Sequence, residues 1–332
     1  MNKTQIIKDA CRRYPEIPSR TIAQYIVSQY PGLYNPGESS KKDPIEIVRG
    51  RVRYYRGKHG AKDRGTALRS GSGIPADDSI KMPKSWRRHV APFKMPVGVS
   101  LVLPDVHAPF HEERPLESAI KAGQIEKVDN IFLGGDFQDC AAVGFWTQKR
   151  RDFMEELNVT LDLMDFIRGE FPGKKIYYKL GNHEERLDQY YRNNAPVLAS
   201  TVLDSVESLL GVESRGIELI EPTQMVMFGK LPFFHGHELK AINQAVNPAR
   251  GLFLKTHSYA AIAHCHKPSM HSEPDLHDKD LTTWSFGCLC SLHPEWFPYG
   301  NRWRWGFGII STEKDGNFEV VNRRVLTNGT VV

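Results

Sequence analysis

Five short motifs in this chain combine aspartate, asparagine and histidine, the residue types that bind divalent transition-metal ions. Each motif follows an apolar segment that is typical of a β-strand. The motifs are Asp105-Val106-His107, Gly134-Gly135-Asp136, Gly181-Asn182-His183-Glu184, His235-Gly236-His237 and His264-Cys265-His266. Carboxylate, amide and imidazole groups in this number predict a metal centre that could activate water and stabilise charge on a substrate.

The spacing within the motifs indicates that their side chains converge. Residues two apart on an extended backbone point the same way, so Asp105 and His107 can converge on one ion, and His264 and His266 share one face. Asp136 follows two glycines at a strand end, the edge where open α/β sheets place their sites, and its carboxylate could bridge two ions. One such motif arises by chance, and a single buried histidine is usually a hydrogen-bonded core residue. Five in order are not expected by chance.

As a set, the motifs resemble those of the calcineurin-like metallophosphoesterase family. That family's pattern is Asp-x-His, Gly-Asp-x-x-Asp, Gly-Asn-His-Glu, His-Gly and Gly-His-x-His, and the matching segments here are DVH, GDFQD, GNHEE, HGHE and AHCH. The likeness runs from about Val97 to the C-terminal hairpin, and Ala263 replaces the usual glycine of the last motif. The resemblance implies an α/β fold of four layers, α-β-β-α, with two mixed sheets flanked by helices.

The resemblance also implies a role for individual residues. Seven metal ligands would form two sets with one shared member: Asp105, His107 and His266 for one ion, Asn182, His235 and His264 for the other, and Asp136 for both. His183 would be the catalytic histidine, with Asp139 orienting its imidazole. His237 is expected to support the ligands rather than bind metal, and Arg186 is either a contact for the substrate phosphate or a solvated surface residue.

The implied chemistry is hydrolysis of a phosphate ester. Two divalent ions roughly 3.5–4 Å apart hold phosphate oxygens and activate a water as hydroxide, which attacks phosphorus without a protein nucleophile. We expect Mn²⁺, with Fe, Zn or Ni as alternatives, since His/Asp/Asn sites accept all of them. The ordinary pKa of histidine, ~6.5, suits His183 to donating a proton to the leaving oxygen.

The N-terminal part has a different charge. Residues 1–100 carry 20 Lys and Arg against 8 Asp and Glu, whereas the remaining 232 residues carry 24 against 31. Apolar spacing predicts three helices within residues 1–57, the second capped by Ser19 and the third opened by Asp43 and Pro44. This arrangement resembles a helix-turn-helix DNA-binding domain, with three arginines on the third helix as candidate nucleic-acid contacts: Arg49, Arg53 and Arg56. The alternative is a helical docking module with a solvated basic face.

Residues 58–94 are rich in Gly, Pro, Ser and charge and predict a linker, which leaves residues 95–332 for the phosphoesterase domain. Within that domain we expect alternating strands and helices, a long helix from Glu184 to about Leu210, and a hairpin around Asp315-Gly316. Trp303 and Trp305 alternate in a segment expected to be a strand, so they should pack there rather than stack on bases.

These features favour a phosphodiesterase or nuclease acting on DNA. A phosphomonoesterase of the same family and a non-catalytic nucleic-acid-binding regulator are the alternatives.

With 40% hydrophobic and 25% charged residues and no secretory signal pattern, the sequence predicts a cytoplasmic protein without a membrane partner. Its five cysteines form no CxxC pair and are expected to be reduced thiols. The sequence does not specify the oligomeric state.

Overall fold

The computed structural model describes residues 2–34, 43–57, 90–144, 152–199, 206–240, 242 and 246–332. The chain divides into two compact units on either side of the Arg87–Arg88 bond. Most of the predicted linker lies outside the described residues. In the described ranges, no helix combines the length and the apolar character needed to cross a bilayer.

The N-terminal unit contains the three predicted helices, α1 (Lys3–Arg13), α2 (Ser19–Gln29) and α3 (Pro44–Tyr55). The predicted cap of α3 is confirmed, because the Asp43 carboxylate accepts a hydrogen bond from the Ile45 amide at 2.9 Å. The predicted cap of α2 is wrong: Pro18 holds the cap position and Ser19 is already helical. The helices enclose a small apolar core built by Ile7, Cys11, Ile22, Ile26, Val48 and Val52.

The C-terminal unit alternates strands and helices. Its helices are α4 (Glu113–Ile125), α5 (Phe153–Glu170), α6 (Glu185–Asn194), α7 (Pro196–Ala199), α8 (Val206–Leu209) and α9 (Pro248–Thr256). Its strands are β1 (Phe93–Lys94), β2 (Gly98–Leu103), β3 (Asn130–Leu133), β4 (Lys175–Lys179), β5 (Ile217–Ile220), β6 (Val226–Phe228), β7 (Leu231–Phe234), β8 (Ala260–Ile262), β9 (Ser269–Pro274), β10 (Asp280–Ser285), β11 (Gly306–Thr312) and β12 (Phe318–Arg324).

These strands form two mixed six-stranded sheets, which confirms the predicted α/β sandwich. Sheet I has the order β1-β6-β7-β8-β10-β9, and sheet II has the order β12-β11-β2-β3-β4-β5, in which β2 to β5 are parallel. One apolar cluster lies between the sheets and includes Phe132 and Phe233. Another packs α4 and α5 on sheet II, and a third packs α9 on sheet I around Leu252 and Ile262. The order of layers is therefore α-β-β-α.

Three local expectations differ from the structure. The helix predicted from Glu184 to about Leu210 is divided, because Ala195 precedes Pro196 and leaves the helical region at φ −147°. Strand β1 lies within the predicted linker, so the sheet begins two residues before the predicted boundary at 95. Trp303 and Trp305 precede β11 instead of lying within it.

The predicted hairpin is confirmed, since β11 and β12 pair antiparallel around Asp315-Gly316.

Candidate metal centre

All seven predicted ligands lie in loops that follow the carboxyl ends of strands. Sheet II supplies Asp105 and His107 after β2, Asp136 after β3 and Asn182 after β4, and sheet I supplies His235 after β7 and both His264 and His266 after β8. The parallel strands bring these ends to one edge. The candidate site therefore draws on both sheets.

One group of candidate ligands surrounds His266. Its Nε2 lies 3.2 Å from Nε2 of His107 and 3.3 Å from Oδ1 of Asp105, and all three residues are almost completely buried. Two imidazole nitrogens facing each other at this distance need a proton or a cation between their lone pairs. Cys290 also lies close, because its sulfur, His107 and His266 can place ligand atoms within 4.8 Å of one another.

A second group consists of Asp136, His235 and His264, whose ligand atoms also lie within 4.8 Å of one another. Nδ1 of His235 donates to the Gly134 carbonyl at 3.0 Å, which fixes the tautomer and leaves Nε2 to face Asp136 Oδ2 at 3.1 Å. The side-chain oxygen of Asn182 is buried and has no hydrogen-bond partner in the described part of the chain. A buried oxygen without a donor is costly unless a cation binds it, so these residues fit a metal ion.

The backbone of the ligand loops adopts conformations that are uncommon for non-glycine residues. Positive φ values occur at five of the seven candidate ligands: Asp105, His107, Asp136, His264 and His266. Such strain collects at functional sites, where the surrounding structure maintains it. Gly181 has a role of the same kind, because a Cβ atom there would collide with the carboxylate and amide of Asp136.

The electrostatics of the site favour positive charge between its carboxylates. Burial opposes ionisation of Asp136, but the surrounding histidines outweigh it and lower the pKa of this carboxyl. Burial likewise opposes protonation of His235, but the Asp136 carboxylate raises its pKa to about 9. His264 differs: burial and then His235 lower its pKa to about 3. The carboxylates thus attract the positive charge that bound cations would supply.

Asp139 contacts both neighbouring histidines, which differs from the predicted contact with His183 alone. Its Oδ2 lies 2.9 Å from Nδ1 of His107 and 3.4 Å from Nδ1 of His183. The closer partner of His183 Nδ1 is the Asp139 carbonyl, at 2.9 Å. Asp139 therefore orients His107 through its side chain and His183 through its backbone.

Arg186 lies at the site rather than in bulk solvent. Its guanidinium is 2.8 Å from Nε2 of His183 and donates to the Asp139 carbonyl at 3.0 Å. Burial opposes protonation of His183, yet Asp136 and Asp139 raise its pKa. The Arg186 contact nevertheless requires a lone pair on Nε2, so we infer from the geometry that the imidazole is neutral in this arrangement. Arg186 then covers the nitrogen that would carry a transferable proton.

His237 does not line either ligand group. Its ring lies 5.3 Å from the ring of His235, and its nitrogens face carboxylates, Nε2 towards Glu185 at 3.4 Å and Nδ1 towards Glu238 at 3.5 Å. This position agrees with a supporting role.

Two buried carboxylates that the sequence did not single out hold the ligand loops in place. Glu184 accepts hydrogen bonds from the amides of Asp136, Gln138 and Gly181 at 2.7–3.2 Å. The hydroxyl of Tyr178 donates to the same carboxylate at 2.6 Å. Glu184 thus joins the loop after β3 to the loop after β4. The position of Glu184 at the end of the Gly-Asn-His-Glu motif is the sequence feature that could have predicted this role.

Glu238 fixes the loop after β7. It accepts hydrogen bonds from the amides of His235 and Gly236 and pairs at 3.0 Å with Nζ of Lys179, which is completely buried at the end of β4. Burial opposes ionisation of Glu238, but Lys179 outweighs it and lowers the pKa to about 2. This ion pair connects sheet I to sheet II beside the ligands.

The three predicted nucleic-acid contacts are Arg49 and Arg53 of α3 and Arg56, the residue that follows α3, and they differ in what they contact. Arg49 forms an ion pair with Glu46 at 3.0 Å on the helix surface. Arg56 turns away from that surface and donates to the carbonyls of Tyr14 and Ile17. Arg53 has no charged partner among the described residues. Arg56 therefore stabilises the N-terminal unit through its hydrogen bonds, and only Arg49 and Arg53 of the predicted set have side chains on the helix surface.

No protein-family model matches the chain, and no curated protein matches it. Among solved structures, the chain is similar to YfcE, a phosphoesterase from E. coli. The identity is 11%, the match covers 70% of this chain and 96% of that chain, and the TM-score is 0.32.

Proposed function

We propose that the protein is a metal-dependent phosphoesterase of the calcineurin-like type. The observation that carries the proposal is the position of Asp136, whose Oδ2 lies 3.9 Å from Nε2 of His107 in the first set of ligands and 3.1 Å from Nε2 of His235 in the second. A carboxylate shared by two sets of ligands suits a pair of ions, and the unpartnered oxygen of Asn182 adds a ligand to the second set. When bound, two divalent ions supply Lewis acidity and bring water towards ionisation at neutral pH.

The residues of the chain have separate tasks in this proposal. Asp105, His107 and His266 hold one ion, and Asn182, His235 and His264 hold the other. Asp139 fixes the ring of His107, which keeps that ring's Nε2 towards His266. Because its partner restrains this ring, the ring loses less conformational entropy when a ligand binds.

His183 is proposed to carry a proton at Nε2 for the leaving oxygen of the substrate. Its Nδ1 is held by the Asp139 carbonyl, so only Nε2 can exchange a proton with a ligand. Arg186 lies on that nitrogen, and a phosphate oxygen is a stronger partner for a guanidinium than a neutral imidazole. We therefore propose that Arg186 moves from His183 to the phosphate when substrate binds, so that Nε2 takes up a proton from water and then donates it to the leaving oxygen.

The finer proposal is a phosphodiesterase acting on nucleic acid, with the basic N-terminal unit as its binding module. What supports it is the excess of 20 Lys and Arg over 8 Asp and Glu in residues 1–100, since a basic segment attracts the phosphate backbone. Of the three arginines predicted as nucleic-acid contacts, Arg53 lies on α3 without a charged partner in the described ranges, so its guanidinium is available for such a contact.

The test is an assay of the full-length protein loaded with Mn²⁺ against a chromogenic phosphodiester, a chromogenic phosphomonoester, and single- and double-stranded DNA and RNA. We expect the diester and a nucleic acid to be hydrolysed. His183→Ala should lower kcat by about 10²–10⁴-fold, the usual contribution of proton transfer by a side chain, with metal content unchanged by elemental analysis. Full activity of that variant would contradict the role of His183.

The role of the N-terminal unit needs a separate variant. Arg53→Glu in the full-length protein should raise KM for DNA and leave turnover of a small diester unchanged. The matched control is Arg49→Ala, which removes an arginine already paired with Glu46. Equal KM for DNA in all three proteins would show that α3 does not bind the substrate.

A further inference from the structure

A pocket of about 270 Å³, including the space open to solvent, opens beside the candidate metal centre. One end is formed by metal-centre residues and the other by aromatic side chains: His107, Asp139 and His266 at the first, and Phe110, Trp296 and Trp303 at the second. A ligand bound at the centre could therefore extend directly onto the aromatic end.

The aromatic end is built from rings that contact one another and a candidate ligand. The ring of Trp303 lies 4.2 Å from that of His266, and Trp296 packs edge-on against Trp303 at 5.6 Å between centroids. Trp296 is 50% exposed. A large apolar ring that stays half in water beside a polar site is a surface available to a planar ligand.

The loop that carries these rings is held in shape by Asn301, which is 94% buried. Its amide group donates to the carbonyls of Leu292 and Phe297 at 2.6 and 3.1 Å, and its oxygen accepts from the Trp303 amide at 3.1 Å. Trp305 anchors the same loop, because its indole N–H donates to the Cys290 carbonyl at 2.9 Å. The tryptophan rings of the pocket are thus preorganised rather than free to collapse into the core.

We propose that this pocket is a stacking subsite for an unpaired nucleobase of a nucleotide phosphodiester. The inference rests on the proposed phosphodiesterase function and adds to it the place where a base of the substrate would bind. Flat aromatic side chains bind bases through their π-faces, with about 1–3 kcal/mol per base. The exposed Arg302 and Arg304 of the same loop carry the charge that complements a phosphate backbone. An alkyl phosphate has no flat π-face, so it would gain less from the ring faces than a base does.

The experiment compares two diesters that release the same p-nitrophenolate, thymidine 5′-(p-nitrophenyl phosphate) and methyl p-nitrophenyl phosphate, with the Mn²⁺-loaded full-length protein. Trp296→Ala should lower the ratio of kcat/KM between the nucleoside ester and the methyl ester by about tenfold, as loss of one stacked base predicts. Trp303→Phe, which keeps a ring against His266, should lower it by a smaller factor. Tyr299→Ala is the matched control, because Tyr299 is 84% exposed in the same loop and lies outside the pocket lining.

The remaining outcomes also decide the question. An unchanged ratio in Trp296→Ala, including an equal fall for both esters, would overturn the nucleobase subsite. If the wild-type protein hydrolyses neither ester, the proposed function fails, and calorimetric titration with thymidine 5′-phosphate then tests the subsite alone. Binding that is several-fold weaker in Trp296→Ala than in Tyr299→Ala supports the subsite, and equal binding or none contradicts it.

Discussion

The two units of this chain both carry clusters of polar side chains, but the clusters differ in kind. On α3 of the N-terminal unit, Arg49 pairs with Glu46 at the surface and Arg56 bonds to main-chain carbonyls. At the sheet edge of the C-terminal unit, His107 and His266 are almost completely buried and turn two nitrogens towards each other at 3.2 Å. The first cluster has its partners within the fold, whereas the second presents buried lone pairs that a proton or a cation would satisfy.

The difference shows how a ligand-binding site can be distinguished from a charged surface that is merely solvated. Composition alone marks the N-terminal unit more strongly, because its basic excess is large. Yet the physical demand for a ligand is greater in the C-terminal unit, where the Asn182 oxygen is buried without a donor in the described ranges. An exposed charge is satisfied by water, and a buried lone pair is not.

The largest expected effect comes from removing the shared carboxylate. Asp136→Ala should abolish binding of both metal ions and reduce phosphoesterase activity to background, since Asp136 belongs to two ligand groups. Metal content by elemental analysis and turnover of a chromogenic diester measure the two effects. If Asp136→Ala retained both ions, Asp136 would not be the shared ligand. The contrast between the metal centre and the arginines of the N-terminal unit would then lose its basis.

The ion pair between Lys179 and Glu238 should be the next most sensitive feature. Lys179→Met leaves a buried carboxylate without its cation and should lower the free energy of unfolding by about 3–5 kcal/mol. Urea denaturation of the metal-free protein measures this value. The double variant Lys179→Met with Glu238→Gln should recover part of the loss, and a loss below about 1 kcal/mol in the single variant would contradict the proposed connection between the sheets.

A pH-dependent effect is expected from Glu156, a buried carboxylate on α5 that accepts the amides of Ala141 and Ala142. Burial raises its pKa from 4.5 to about 7, so the folded state holds this proton more tightly than the unfolded state. The residue therefore lowers stability as pH rises from about 4.5 to about 7. Relative to wild type, Glu156→Gln should gain up to about 3 kcal/mol between pH 5 and pH 8, measured by urea denaturation at each pH. A pH-independent difference would contradict the raised pKa.

The smallest effects are expected on α3, and they separate its arginines. Arg56→Ala removes hydrogen bonds from a charged donor to main-chain carbonyls and should lower the local stability of the helices by about 2 kcal/mol. Arg49→Ala breaks a surface pair and should change it by less than about 1 kcal/mol. Hydrogen exchange of the α1 to α3 amides measures both. Equal effects would show that Arg56 is as dispensable to the fold as Arg49.

Most of the architecture could be predicted from the sequence because the signals are local. Apolar segments that end in Asp105, Asp136 or Asn182 mark the strands, and a parallel sheet brings their carboxyl ends together without further information. The alternation of helices with these strands was predictable for the same reason, since each helix depends on its own periodicity and on a start signal such as Asp152, which caps α5.

What could not be predicted depends on distant partners or on irregular backbone. The pairing of Lys179 with Glu238 joins two sheets, and no spacing along the chain encodes it. Trp303 was expected in a strand, but Arg302 adopts a positive φ of 58° and interrupts the alternation that the prediction assumed. The direction of Arg56 follows from carbonyls at the end of α1 and before α2, which become neighbours only after folding.

The position of the ligands at the junction of the two sheets has a mechanical consequence. Asp136 and Asn182 follow strands of sheet II, and His235 and His264 follow strands of sheet I, so one bound ion would cross-link the two layers. It would add to the apolar contacts between them, such as Phe132 with Phe233, and to the ion pair of Lys179 with Glu238. A bound ion should therefore make the two sheets harder to slide past each other or to separate. This mechanical effect is additional to the stability that ligand binding confers by mass action.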